Sequence, residues 1–364
     1  MPSILYIVPH RLNRSPGQRF RCEQYLKPLE EVGFKITYSF IISEKNDQIF
    51  YSKGKYLKKT WILFTSFFHR TKDVFSAKKF DIVFIYREAF MLGTTFFEKQ
   101  LKRRSPRIIF DFDDAIWLND TSQGNEDLSW LKKPSKTAKI IEMSDLVFAG
   151  NKYLSDYARP FNPIIEIVPT TIDTNYHKFE KNKNISSRIC IGWTGTSTTL
   201  KHFETIIPFL EKIKNKYNNL IYFKIIVNFP YKLPSLEIEA IEWSLENEIK
   251  DLSEIDIGIM PLPDDEWAKG KCGFKGLQYM SLEIPTIMSP VGVNNEIIIE
   301  GKNGFLASTE EEWVNKLSSL IEDTELRKRI GLEGRKTVEE KYSVNAHKDR
   351  YVQQFLNLME IKKA

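Results

Sequence analysis

The stretch KGKCGFKGLQYM, residues 269–280, sets Lys271 and Lys275 around glycines directly ahead of a helical pattern, and the strand PTIMS after it closes in a second glycine turn. Glycine lets backbone amides approach a ligand, and an amide-rich turn at a helix start holds anions. GWTGTSTTLKHF, residues 192–203, is a second place of this kind. Gly192 and Gly195 permit a tight turn, Thr194 and Thr196 offer hydroxyls, and Lys201 lies at the following helix. The pattern is not GxGxxG and no GKS or GKT follows, so neither a dinucleotide fingerprint nor a P-loop is present. A diphosphate bound by the turn amides and Lys201 is the expected ligand; a helix-capping Ser/Thr turn is the alternative.

Two further places lie in the first half. DFDDAIW, residues 111–117, gathers Asp111, Asp113 and Asp114 at a strand end. Alternation puts Asp111 and Asp113 on one side and Asp114 opposite. They suit sugar hydroxyls, a base or a divalent ion, or else capping of a following helix; no further ligand cluster favours the metal. HRLNRSPGQRFR, residues 10–21, enters a helix through a Ser-Pro-Gly turn, with Gly17, Gln18, Arg19 and Arg21 at its start. Arginines there oppose the helix dipole, so a bound anion would relieve them. A solvated basic turn is the plainer reading.

Ligands of open α/β sheets bind beyond the C-terminal ends of strands, so all four places must follow strands. SILYIVP (3–9), RIIFDF (107–112), RICIGWTG and DIGIMPLP supply them. Helical patterns alternate with further strands at FKITYSF, DIVFIY (81–86), DLVFAG (145–150), IIEIVPT and LIYFKIIVN. Such alternation predicts doubly wound, mostly parallel sheets. One continuous helix is expected over RFRCEQYLKPLEEVG, another near EAFMLGTTFFEKQLKR and a third over LKHFETIIPFLEKIKNKY. Residues 174–187, TNYHKFEKNKNISS, read as a linker, after which the alternation restarts. The expected organisation is an N-terminal Rossmann-like domain over 1–180, a second over 181–345, and a C-terminal helix, 346–364, packing back toward the first.

A chain of 364 residues exceeds what one core usually serves. Its net charge of +5 is too weak to argue for nucleic acid, but suits phosphorylated ligands or an anionic membrane surface. Cys22, Cys190 and Cys272 form no CxxC pair, which reads as reduced thiols, a cytoplasmic setting and no zinc site. The N-terminus begins as a strand instead of a signal peptide, and no apolar run of about 20 residues spans a bilayer.

From Asp256 onward the chain resembles the glycosyltransferase group 1 family, the retaining family 4 enzymes of GT-B fold. DIGIMPLP, GLQYMSLEIPTIMSP, GVNNEII and GKNGFL follow the family's succession of a Pro-ended strand, a "LEAMAxGxPVI" run, a glycine turn with an "EII"-like segment, and "GxNGFL". Upstream, AGNKYLSDYA and IIEIVPTTIDTNYH are similar to its inter-domain stretch, with Asp173 at the last position of that motif. The resemblance implies an α/β GT-B fold, two Rossmann-like domains with parallel sheets facing across a cleft. It also implies a nucleotide-diphospho-sugar donor, transfer to an acceptor hydroxyl with retention, and no metal or other cofactor.

Lys201 falls on the family's diphosphate-contacting lysine. The usual Glu-x7-Glu motif departs here, with Gly270 and Gln278 at its two positions; Gln278 can still hold a ribose hydroxyl. Lys201, Lys275 and Asp113 are the expected catalytic residues. Gly192, Thr194, Gly195, Thr196, Lys271, Gly273, Phe274 and Gln278 are expected on the donor with the two lysines. Gly17, Gln18, Arg19, Asp111 and Asp114 are expected on the acceptor side. An epimerase of the same fold, or a non-catalytic sugar-nucleotide-binding subunit, is the competing reading.

Residues 51–80 carry eight Lys/Arg against one Asp around the apolar WILFTSFF. This composition suits a membrane interface near a lipid-linked or other glycan acceptor, peripheral on the inner face of the cytoplasmic membrane; the alternative is a helix with a solvated face.

Overall fold

A computed structural model describes residues 1–118, 123–178 and 188–360. It divides into two compact units, Met1–Thr170 with His347–Ala364, and Thr171–Ala346. Residues 174–178 of the expected linker therefore belong to the second unit, while 179–187 lie outside the described residues.

The first unit is built on six strands: β1 (Ser3–His10), β2 (Lys35–Ile42), β3 (Ile82–Tyr86), β4 (Ile108–Phe112), β5 (Leu146–Ala149) and β6 (Ile165–Ile167). They pair in the order β2-β1-β3-β4-β5-β6, all parallel. β3 and β4 are buried along their whole length, as continuous Ile/Val/Phe runs covered on both faces must be. Residues 347–360 of the last helix (Val344–Glu360) complete this core. Tyr351 stacks on Tyr25 with ring centres 4.0 Å apart, and Phe355 lies against Phe84 and Phe148. Arg107 donates to the carbonyls of Leu358 and Met359, the cationic partner that a helix C-terminus favours.

The second unit repeats the plan with β7 (Ile189–Thr194), β8 (Ile221–Val227), β11 (Ile241–Glu242), β12 (Ile257–Met260), β13 (Thr286–Met288) and β14 (Phe305–Leu306). Their order is β11-β8-β7-β12-β13-β14, again all parallel; β9 (Lys232–Leu233) and β10 (Ile238–Glu239) form a separate antiparallel pair. Ile191, Trp193, Ile225 and Ile257 pack with Trp313 and Leu317 of the helix Glu310–Glu322. That helix opens on a capping box, Thr309 and Glu312 each satisfying the other's backbone N–H.

Three expected long helices are broken. The first becomes Pro16–Arg21, a 3-10 turn at Glu23–Tyr25, and Leu26–Glu31. Restarting there places Pro28 in a first turn, where its missing N–H costs nothing. Pro208 likewise opens Ile207–Tyr217 after the short helix Leu200–Glu204. Of the helix expected near EAFMLGTTFFEKQLKR only Phe96–Arg104 forms. Side chains satisfy the backbone of the preceding segment: Lys136 donates to the carbonyls of Phe90 and Leu92, and Glu98 accepts the Ala89 N–H.

Candidate active site

In each sheet the strand order reverses beside the first strand, and such a switch point opens a crevice at the strand ends. In the second unit it lies between β7 and β12. The Thr194 N–H, at the end of β7, donates to the Tyr279 hydroxyl at 2.8 Å, tying the helix Phe274–Ser281 to this edge. Gly273 begins that helix at φ +69°, and a Cβ there would stand 2.2 Å from Ile297, so only glycine fits. Ahead of it, Asp265 caps the short helix Glu266–Lys269 through the Ala268 N–H at 2.7 Å.

Two lysines of this loop rest on tryptophans: Lys271 lies 5.2 Å from the Trp267 ring centre and Lys275 5.6 Å from that of Trp193. His202 sits among these charges. It is 3% exposed, and neither ring nitrogen has a hydrogen-bond partner. Burial first, then Lys275, Lys271 and Lys201, holds its pKa down to about 4, with Asp265 pulling the other way. The ring is neutral at pH 7, one nitrogen a donor and the other an acceptor. Three lysine charges thus act on a buried imidazole whose ring nitrogens have no hydrogen-bond partner. Lys201 itself is exposed on its helix, and Phe274 is half-buried in the first turn of the next.

Several expected donor residues do other work. Gly192 lies inside β7, where a Cβ would stand 2.3 Å from Ile255; the glycine is there for packing. A Cβ at Gly195 would strike the Trp193 ring at 2.2 Å. The turn amides expected to bind diphosphate are already engaged. Thr194 N–H goes to Tyr279, Gly195 N–H to the Ile226 carbonyl, and Thr196 N–H to the Thr199 hydroxyl. Gln278, one turn beyond Lys275, is buried, with its amide nitrogen 3.5 Å from His177 Nε2.

At the switch point of the first unit, between β1 and β3, Arg87 is the centre. It follows β3 in the left-handed region, φ +61°, a conformation that costs a non-glycine residue ~1–3 kcal/mol and recurs at functional sites. Arg87 donates to Asp113 at 2.7 Å and pairs with Asp114, while the Tyr86 hydroxyl donates to Asp113 at 2.9 Å. Asp113 and Asp114 thus meet on one guanidinium instead of facing apart, because β4 has ended at Phe112. A Cβ at Gly17 would lie 2.2 Å from the Tyr86 hydroxyl and 3.3 Å from Arg87, so this glycine lets the helix start close on the group.

Three of the residues expected on the acceptor side lie in the packed interior. Asp111 is fully buried in an ion pair with Arg21, whose guanidinium also reaches the Val168 carbonyl. Gln18 is buried as a hub: it accepts the His10 N–H and donates to the His10 carbonyl, both at 2.9 Å, and to the Tyr38 hydroxyl at 2.7 Å. Arg19 is buried beside Phe20. Among the described residues Asp113 and Asp114 cap no helix. Among the described residues no three His, Cys, Asp or Glu side chains gather as metal ligands do.

His202 and Arg87 escaped the sequence reading. The first adjoins Lys201 and the second directly follows DIVFIY, so the rule that ligands lie after strands could have found Arg87; burial of His202 has no signal in sequence.

Residues 256–337, within the second unit, match the family described as glycosyl transferases group 1. Comparison with curated proteins gives no match. Among solved structures the chain is similar to sucrose-phosphate synthase from Thermosynechococcus elongatus, with TM-score 0.72 and 12% identity over 98% of this chain and 99% of that one. Anabaena HepE in complex with UDP and glucose gives 0.68 and 11%, over 98% and 100%. A glycosyltransferase from Rickettsia africae gives 0.67 and 14%, over 99% of each. At these identities the likeness establishes the fold, GT-B with two Rossmann-like units.

Proposed function

We propose that this chain, a GT-B protein carrying a group 1 glycosyltransferase segment at residues 256–337, moves a sugar from a nucleotide-diphospho-sugar to an acceptor hydroxyl with retention. The carrying observation is that Lys275, inside the matched segment, lies over the ring of Trp193 in β7, 5.6 Å from its centre, on the same edge as the turn that leads to Lys201 and His202. As the bond from the anomeric carbon to the phosphate oxygen breaks, negative charge grows on the diphosphate and positive charge on the sugar. Fixed cations at the leaving group favour that transition state by several kcal/mol. Lys201 and Lys275 take the leaving charge, Lys271 supports them, and neutral His202 donates a hydrogen bond without competing for the lysines' protons. Gln278 is the candidate for the ribose.

On the first unit Arg87 faces the acceptor, and Asp113 and Asp114 serve as positioning residues that fix its guanidinium. A glycan or lipid-linked glycan precursor is the acceptor class this reading favours.

The test is a thermal-shift panel of nucleotide-diphospho-sugars followed by transfer assays, with UDP-sugars first because the HepE structure holds UDP. At least one donor should raise Tm and be consumed only when acceptor is present. Consumption without acceptor would identify an epimerase, and binding without turnover a non-catalytic subunit.

His202 gives a separate check. Its ring-proton NMR signal, identified by its loss in His202→Gln, should titrate near pH 4 in the free protein. With a nucleotide-diphospho-sugar bound, diphosphate charge offsets the lysines and the titration should move to higher pH. An unmoved midpoint in a saturated complex would place the phosphates elsewhere.

A further inference from the structure

The helix Tyr56–Ser76 is amphipathic in the wrong sense for a solvated surface. Its buried side chains include Lys59, Ser66, Arg70 and Asp73 beside Ile62 and Val74. Fully buried Arg70 donates to Val8 and Ala89 carbonyls and to Asp73, and Lys59 donates to Asn125 at 2.7 Å. Polar groups are thus matched inside, while the outward face is apolar. Leu57 is 90% exposed, Trp61 65%, Phe64 52%, Phe68 51% and Phe75 59%. Their helical spacing puts them on one stripe, about 27 Å long at the α-helical rise. Trp61 touches Phe64, ring centres 5.6 Å apart, and Phe64 touches Phe68 at 4.6 Å, so the centre of the stripe is a continuous aromatic patch, with Leu57 and Phe75 one and two turns beyond it. Contiguous exposed apolar surface of this kind marks a partner.

Charge identifies the partner. The exposed charged side chains between residues 53 and 79 are all lysines: Lys53, Lys55, Lys58, Lys72, Lys78 and Lys79. The one acid of the stretch, Asp73, is buried against Arg70. Nearby, Arg104 lies over the Phe75 ring, 4.7 Å from its centre. A second copy of the chain would bring one cationic rim against another, which repels. No described helix is long and apolar enough to cross a membrane.

We infer that this face docks on an anionic phospholipid bilayer, the stripe from Leu57 to Phe75 seated at headgroup depth and the lysines on the lipid phosphates. Aromatic rings favour that depth, and a negatively charged leaflet attracts the rim. The inference does not depend on the glycosyl-transfer reading, since docking needs neither donor nor acceptor.

Co-sedimentation of the full chain with vesicles tests it, using phosphatidylcholine alone or mixed with phosphatidylglycerol. The chain should bind the mixed vesicles, bind them less as salt rises, and bind pure phosphatidylcholine at least roughly tenfold more weakly. Brominated lipid should quench a component of the tryptophan emission that Trp61→Phe removes. The triple variant W61S/F64S/F68S changes exposed side chains only, so it should keep its Tm while losing roughly tenfold or more in vesicle affinity. Equal binding by that variant, no binding to anionic vesicles, or quenching unaltered in Trp61→Phe would each overturn docking through this stripe. Self-association lost in the triple variant, without vesicle binding, would assign the face to a second copy instead.

Discussion

Lys201→Ala should lower kcat/KM for glycosyl transfer by about 10²–10³-fold while leaving Tm and the circular dichroism spectrum unchanged. The side chain is exposed, so its removal creates no cavity and strands no partner inside the core. What is lost is one of three cations acting on a single point. Diphosphate charge increases from bound donor to transition state, so the loss should fall mainly on kcat, with a smaller rise in KM. Lys201→Arg, which keeps the charge at altered reach, should recover part of the rate. Near-normal turnover by the alanine variant, measured with the donor that gives the largest thermal shift, would remove Lys201 from the reaction. Lys275→Ala tests the same charge less cleanly, because that lysine also rests on the Trp193 ring.

The fold was legible because its signals are local. Runs such as IVFIY and IIF are continuously apolar, as a strand covered on both faces requires, and the helical patterns between them fix the parallel alternation. Helix interruptions were less legible, although Pro28 and Pro208 marked two of them. The lysines of the candidate site were named from their places after strands. Their convergence was not, because it depends on how the 195–203 and 261–275 loops pack together. Glycines were the least legible. Gly192 and Gly195 are glycine because Ile255 and Trp193 occupy the space a Cβ would need, and in sequence this looks the same as room left for a ligand. Carboxylates misled in a related way. In DFDDAIW all three look alike, yet β4 buries Asp111 while its end exposes Asp113 and Asp114 to Arg87. For residues 51–80 the sequence left a membrane face and a solvated helix open together; it could not tell which side chains point inward, and in the structure Arg70 and Asp73 do.

Asp111→Ala should destabilise the chain by ~3–5 kcal/mol, the usual cost of removing one partner from a buried ion pair. Asp111 and Arg21 both have side chains fully shielded from solvent, and the alanine would take the Asp111 carboxylate away from a buried guanidinium. Urea unfolding monitored by circular dichroism measures the loss. The double variant Arg21→Met, Asp111→Leu removes both charges at similar volume and should regain most of it, whereas an independent role for each residue would make the two losses add. The pH dependence has a definite sign. Burial, opposed by Arg21, pushes the Asp111 carboxyl up to about 6, above the 3.8 of an unperturbed aspartate. Between those values the folded chain keeps a proton that the unfolded chain has released. The contribution of this group to stability therefore falls as pH rises from about 4 to 6 and is level above. Wild type should lose stability relative to Asp111→Asn across that window. If instead Asp111→Asn unfolds as wild type does at every pH but no longer transfers sugar, the carboxylate serves an acceptor after all, and its burial against Arg21 cannot be the resting arrangement of the working enzyme.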